Sequence, residues 1–272
     1  MIISINLDSV ILHIATEVLI ETINTLDVDK NITGFKFNIS RIDNDIRSYL
    51  LKIASLCKNY NYTIMIYNIN LDMDIKEHMK YLMLYNNISK ILDKKVNIIY
   101  NSCLKYDLKH SILDTISNYT AIVGYVIDNK LNLSICAENL EYINRPDFKS
   151  IVNDITSKVY ALNISYNIGK EAFIGYNSYD IANIADVDTD VLPSVINKIK
   201  NISIHDNDLL SSNLPFVYGN IDLYEVKEFI NTYRYDKDIT IDLDMYKLSG
   251  ESLKEKLTSY VSEVNKVIYM LK

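Results

Sequence analysis

NISIHDNDLLSSNLPFVYGNID, residues 201–222, reads as a short strand, a long polar loop and the first turn of a helix. The strand is Asn201–Ile204, and the polar group His205-Asp206-Asn207-Asp208 sits where it ends. The loop runs through Ser211, Ser212 and Asn213 to Gly219. Asp222 then opens a helix, and Glu225 three residues later suggests a capping box. A strand that ends in chemistry-bearing side chains and leads into a helix is the unit of a β/α barrel. Such barrels keep their sites at the carboxyl ends of the strands.

The same unit recurs outward in both directions. Strands are expected at 2–6, 32–38, 62–67, 95–101, 131–137, 158–164, 201–204 and 238–244. Helical patterns fill the intervals: 9–26, from Ser40 or Asp43 to about Tyr60, 74–92, 107–128, 147–156, a broken region at 170–199, and 252–271. Asp74 with Glu77, and Ser252 with Glu255, carry the spacing of capping boxes. Strand and helix alternate about eight times at a spacing of roughly 35 residues, which implies a parallel sheet. The expected fold is α/β, a (β/α)8 TIM barrel, with residues 1–272 as a single domain. No GxGxxG follows the first strand and no GxxxxGK[ST] occurs, so neither phosphate-cradling turn is on offer.

Composition sets limits. The chain has 272 residues, a net charge of −7 and 49% hydrophobic residues. Arg41, Arg47, Arg145 and Arg234 are its arginines, and no dense basic stripe runs along it. A nucleic-acid partner is not expected. No apolar run reaches the roughly 18 residues of a membrane span. MIISINLDSVILH lacks a basic n-region and carries Asp8 in its apolar stretch, so it reads as a strand rather than a signal peptide. Cys57, Cys103 and Cys136 are scattered, with no CxxC pair, as suits a reducing, cytoplasmic compartment. Glycine is scarce at 6, proline numbers 3 and tryptophan is absent, while Ile, Asn, Lys and Tyr abound, a pattern of AT-biased coding. Few loops can therefore rely on glycine for left-handed turns.

In the barrel reading the strand-end residues are Asn6, Asn38, Tyr67 or Asn68, Asn101, Glu138, Asn163, Ser203 with His205, and Asp242 with Asp244. That ring is mostly neutral amide, with Glu138 and one of the final aspartates as its charged members.

Here the residues resemble a known superfamily. SIHDND…SSNLPFVYGNID is similar to the seventh-strand motif of the xylose-isomerase-like barrels, which include sugar-phosphate isomerases and epimerases and endonuclease IV type AP endonucleases. ICAENL (135–140) resembles their fifth-strand Glu-Asn motif, and ITIDLD (239–244) their eighth-strand acidic end. YNINLD (67–72) is similar to the third-strand stretch, and LNISYNIG (162–169) to the sixth-strand Asp-x-x-His segment. The resemblance implies one to three divalent metals held by His, Asp and Glu. Laid on it, the chain keeps Glu138 and, conservatively, Asp242. It places Asn163 and Tyr166 at the sixth-strand Asp and His, Ser203 at the seventh-strand His, and Ser211 and Asn213 at the loop Asp and His.

Zinc takes imidazole, thiolate or carboxylate, and most of those positions are neutral here. A three-zinc nuclease site is not expected. What remains is no cofactor, or one divalent cation held by Glu138, Asp242 and the amide oxygen of Asn163, magnesium or manganese before zinc. The resemblance thus implies an isomerase/epimerase-like barrel with a degenerate metal site and a neutral polar pocket for a sugar-like ligand. Asn6, Asn38, Asn101, Asn163, Tyr166, Lys170, His205 and Asn213 would line that pocket. The alternative is a working single-metal isomerase or epimerase with Glu138 and Asp242 as acid and base, and Lys170 or His205 on the substrate oxyanion. Oligomeric state has no signature in the chain.

Overall fold

The computed structural model describes residues 2–6, 21, 32–38, 63–67, 74–93, 95–100, 112–138, 155, 157–168, 196–207, 214–216 and 221–272. The strands are β1 (Ile2–Asn6), β2 (Ile32–Asn38), β3 (Thr63–Tyr67), β4 (Val96–Tyr100), β5 (Leu133–Glu138), β6 (Asn163–Asn167), β7 (Ile199–Ile204) and β8 (Asp238–Ile241). The long helices among the described residues are α1 (Ile75–Leu92), α2 (Ile112–Asp128), α3 (Leu223–Thr232) and α4 (Leu253–Leu271). Each strand pairs in parallel with the next in chain order, and β8 pairs back with β1, so the sheet closes. The alternating α/β, parallel character read from the sequence is what the sheet shows.

Strand alternation gives the sheet two different faces. On the helix side, Ile98 and Tyr100 of β4, Ile135 of β5, Ile202 and Ile204 of β7 and Ile239 and Ile241 of β8 are buried. They share one apolar cluster with Leu82 and Tyr85 of α1, Tyr119 and Val126 of α2, Val226 and Phe229 of α3 and Tyr260 and Val264 of α4. Among the described side chains, those of β4 to β8, the inner face is mostly polar. Asn97 Nδ2 donates to Asp238 Oδ2 at 3.3 Å, a bond between β4 and β8 that spans the barrel interior. Ser165 Oγ donates to Asn201 Oδ1 at 3.0 Å, and Asn201 Nδ2 donates to Thr240 Oγ1 at 2.9 Å. The apolar content of this side among the described residues is the small cluster of Ile99 and Cys136.

Strand bounds that differ from the sequence reading include three that matter to the site, and β7 starts two residues earlier, at Ile199. β6 lies at 163–167, not 158–164. The inner face is polar, so the alternation Asn163-Ile164-Ser165-Tyr166-Asn167 is itself the strand, and the more apolar KVYAL before it ends in a turn. β5 runs on to include Glu138 as its last residue, and β8 stops at Ile241, so Asp242 and Asp244 lie beyond it. The caps also divide. Ser252 and Glu255 form the full capping box, and those backbone bonds hold the Glu255 carboxyl below its usual range. Asp74 and Asp222 are N-caps, but they accept from Lys76 N and Tyr224 N, one position short of the box. The expected helices at 9–26, 40–60 and 170–199 fall almost wholly outside the described residues.

Scarce glycine leaves its mark on the helix ends. Asp93, Lys130 and Arg234 take left-handed φ values of 51°, 51° and 50°. Lys130 N donates to Ile127 O and Leu131 N to Val126 O, a helix terminus that usually places Gly at the left-handed residue. Lys130→Gly and Arg234→Gly are each expected to stabilise the protein by about 0.5–1 kcal/mol in denaturant titrations. A loss of stability in both would mean that these turns are not left-handed.

Asp238 yields a second expectation. Burial pushes its carboxyl up to about 6, against the pull of nearby cations such as Lys200. Between the ordinary carboxylate range near 4 and about 6, the native state binds a proton that the unfolded chain has released. This group's contribution to stability is therefore full below that window and falls as pH rises through it. Asp238→Asn, which can still accept from Asn97, should match the parent near pH 4 and exceed it above pH 6 by up to about 3 kcal/mol. Parallel stability–pH curves for the two proteins would refute this.

Candidate functional site

The carboxyl ends of β5 to β8 carry a compact set of buried polar side chains. Glu138 closes β5 and is 1% exposed. Asn167 closes β6, and its Nδ2 donates to Glu138 Oε1 at 2.9 Å. Ser203 lies in β7 at the register position of Asn167. Its hydroxyl donates to Asp242 Oδ2 at 3.5 Å, and the Asp242 backbone N–H donates to Ile204 O at 2.9 Å. Each of the two acids thus has a neutral donor from the neighbouring strand. Asp244, two residues on, accepts from Tyr246 N and caps a short 3-10 turn, so Asp242 is the acid that belongs to this group.

His205, Asp206 and Asn207 follow β7 directly and are all buried. His205 Nδ1 lies 3.3 Å from Asp206 O. Asp206 works on the backbone. Its Oδ1 accepts from Asn207 N at 2.9 Å and Ile221 N at 3.1 Å, and its main chain bridges Leu214. The carboxylate therefore ties the start of the polar loop to its end. Sequence reading marked this stretch but did not separate the two roles.

Two expected site residues are corrected. Asn163 opens β6 instead of closing it. Its Nδ2 donates to Ser134 Oγ and Ile135 O at 3.2 Å each, toward the amino-terminal end of the barrel, away from Glu138. Tyr166 faces the helices within the apolar cluster, because alternation sends Ser165 and Asn167 inward. The residue beside Glu138 is Asn167. The strand's inward polar alternation was the signal that could have shown it. Lys170, Asn101 and Asn213 lie outside the described residues. Asn6 and Asn38 end β1 and β2, with only their backbone positions described. Cys136 is buried in the barrel and burial pushes its thiol up to about 12, so it stays a neutral packing group. His78 is buried against Tyr100 in the helix layer, with ring centroids 5.4 Å apart.

The ligand trio Glu138, Asn163 and Asp242 is split by the register of β6. Among the described residues no three His, Cys, Asp or Glu side chains come together as a metal would need. Asn167 presents its amide N–H to Glu138.

Solved structures with this architecture are numerous. A D-tagatose 3-epimerase-like protein matches with TM-score 0.63 and 16% identity over 100% of this chain and 98% of that one. The probable 3-DHS dehydratase AsbF of Bacillus anthracis matches with TM-score 0.66 and 12% identity, over 97% and 99% of the two chains. D-psicose 3-epimerase of Clostridium cellulolyticum H10 matches with TM-score 0.63 and 9% identity over the full length of both. The chain has the xylose-isomerase-like barrel fold. No family model matches its sequence, and no curated protein matches it either. At such identities the shared barrel is the finding, and the activity of each neighbour remains its own.

Restoring the charged ligands tests the degenerate reading of these positions. In Asn167→Asp/Ser203→His, a carboxylate faces Glu138 and an imidazole faces Asp242. Like charges at the first pair should lower Tm without metal, and manganese should restore it with a stoichiometry near one. A folded double variant that ignores manganese would show that these positions do not face a common point.

Proposed function

We propose that this chain is a divergent (β/α)8 barrel of the sugar isomerase/epimerase type, one domain over residues 1–272, whose metal site has given way to a neutral polar pocket. Its ligand is a small polyol or sugar. The observation that carries the reading is the pairing of each acid with a neutral donor, Glu138 with Asn167 and Asp242 with Ser203. In a metal enzyme the cation neutralises such carboxylates. Here hydrogen bonds stabilise them instead, each worth roughly 1.5–3 kcal/mol when one partner is charged. Carboxylates, an amide and hydroxyl groups at one barrel end supply the acceptors and donors that adjacent sugar hydroxyls need.

A working isomerase is the second reading, and one observation favours it. Glu138 and Asp242 are both buried acids, one closing β5 and the other directly following β8, three strands on around the barrel. Two acids so placed could remove and return a proton on opposite faces of a carbon.

Metal content decides between the readings. Protein purified without chelator or affinity metal is expected to hold no stoichiometric divalent ion and to show no thermal shift with manganese, magnesium or zinc. A neutral sugar should raise Tm, and Glu138→Gln should weaken that response by about tenfold while leaving the fold intact. One metal per chain, lost in Glu138→Gln, would overturn the pseudoenzyme reading in favour of the isomerase. Silence across a broad sugar panel would remove the sugar ligand.

A further inference from the structure

The amino-terminal end of the barrel, opposite Glu138, holds a cavity of about 240 Å³. It lies where the last turns of α2 meet the first residues of β5 and β6. Val123, Val126 and Leu133 give it apolar walls, and Asn163 lines it with Ser134. Lys95 and Lys130 complete the lining, and both are exposed. Among the described residues, neither lysine's ammonium group has a hydrogen-bond or ion-pair partner. Asp128, two residues before Lys130, is exposed and is not part of the lining. In a chain of net charge −7, two lysines at the rim of a hollow with both apolar and polar walls favour a ligand of negative charge.

We infer that this cavity is a second binding site, for a small amphipathic anion. The apolar body sits against Val123, Val126 and Leu133, and a carboxylate or phosphate lies between Lys95 and Lys130. An apolar cavity of about 150 Å³ is known to admit benzene, so a single ring or short acyl chain fits this volume. The apolar walls provide the affinity and the lysines select the charge, the usual division in small-molecule sites. The site shares no residue with the mouth of the barrel and is independent of the function proposed there.

The test uses the full chain with hexanoate, hexan-1-ol and inorganic phosphate as probes. Binding is followed by the methyl resonances of Val123, Val126 and Leu133. Hexanoate should shift these methyls saturably, with hexan-1-ol about tenfold weaker and phosphate without effect on them. Lys130→Gly separates binding from folding. It relieves a left-handed lysine at φ 51°, so Tm should rise while hexanoate affinity falls about tenfold. Glu138→Gln, at the other end, should leave hexanoate binding unchanged. No saturable shift up to the solubility of hexanoate would overturn the proposal. So would equal binding of the alcohol, which makes the cavity merely apolar, or equal binding of phosphate, which makes the lysines a bare anion site. Full hexanoate affinity in Lys130→Gly would remove the assigned role of that lysine.

Discussion

A barrel with a polar interior holds together only if each buried amide and hydroxyl finds a partner inside it. Asn201 is the centre of that requirement here. It accepts from Ser165 on one neighbouring strand and donates to Thr240 on the other, and it is 1% exposed. An unpartnered amide in this position would cost roughly 1–3 kcal/mol, so the bonds set which residue of β6 meets which residue of β8. A slip of one residue would turn Ile202 inward and press Asn201 against the helix layer. The register of β6, β7 and β8, and the positions of Asn167, Ser203 and Asp242 at their ends, follow from that polar alternation.

The same constraint explains what the sequence showed and what it hid. Strand existence was legible because the outward residues are β-branched or aromatic and recur with a period of two, as in Ile98 and Tyr100 or Ile239 and Ile241. The helices α1, α3 and α4 announced themselves through Asp74, Asp222 and Ser252. β6 was misplaced by about one turn of chain because Asn163, Ser165 and Asn167 look like loop residues until the barrel interior is known to be polar. Composition alone rates KVYAL the better strand, and only the partners Ser134, Asn201 and Glu138 overrule it.

That displacement matters most at the site. Glu138 and Asp242 were legible as the surviving acids. The neighbour of Glu138 was not, since the four-residue difference between Asn163 and Asn167 carries a side chain from one end of the strand to the other. Asn is nearly isosteric with Asp, so an exchange between them at position 167 would change a charge without altering the volume packed at the strand end. In a chain rich in asparagine, such a change leaves the barrel intact and alters only its chemistry. The fold therefore persists at identities near 10% to other barrels, because the residues at the mouth can change while the packing behind them stays.

The two ends of the barrel then differ in what selects their residues. At the carboxyl end, buried acids are stabilised by neutral donors, and any ligand must exchange for or add to bonds already made, as Asn167 and Ser203 make them. At the amino-terminal end, Lys130 occupies a left-handed position that glycine would hold with less strain. Asp93 and Arg234 do the same at the ends of α1 and α3, so the shortage of glycine accounts for the strain as a class. It does not account for Lys95 and Lys130 lining one hollow together, because a helix end needs neither a cation nor a cavity to terminate. The strain is a property of the composition, and the placement of charge over that hollow is a property of the site.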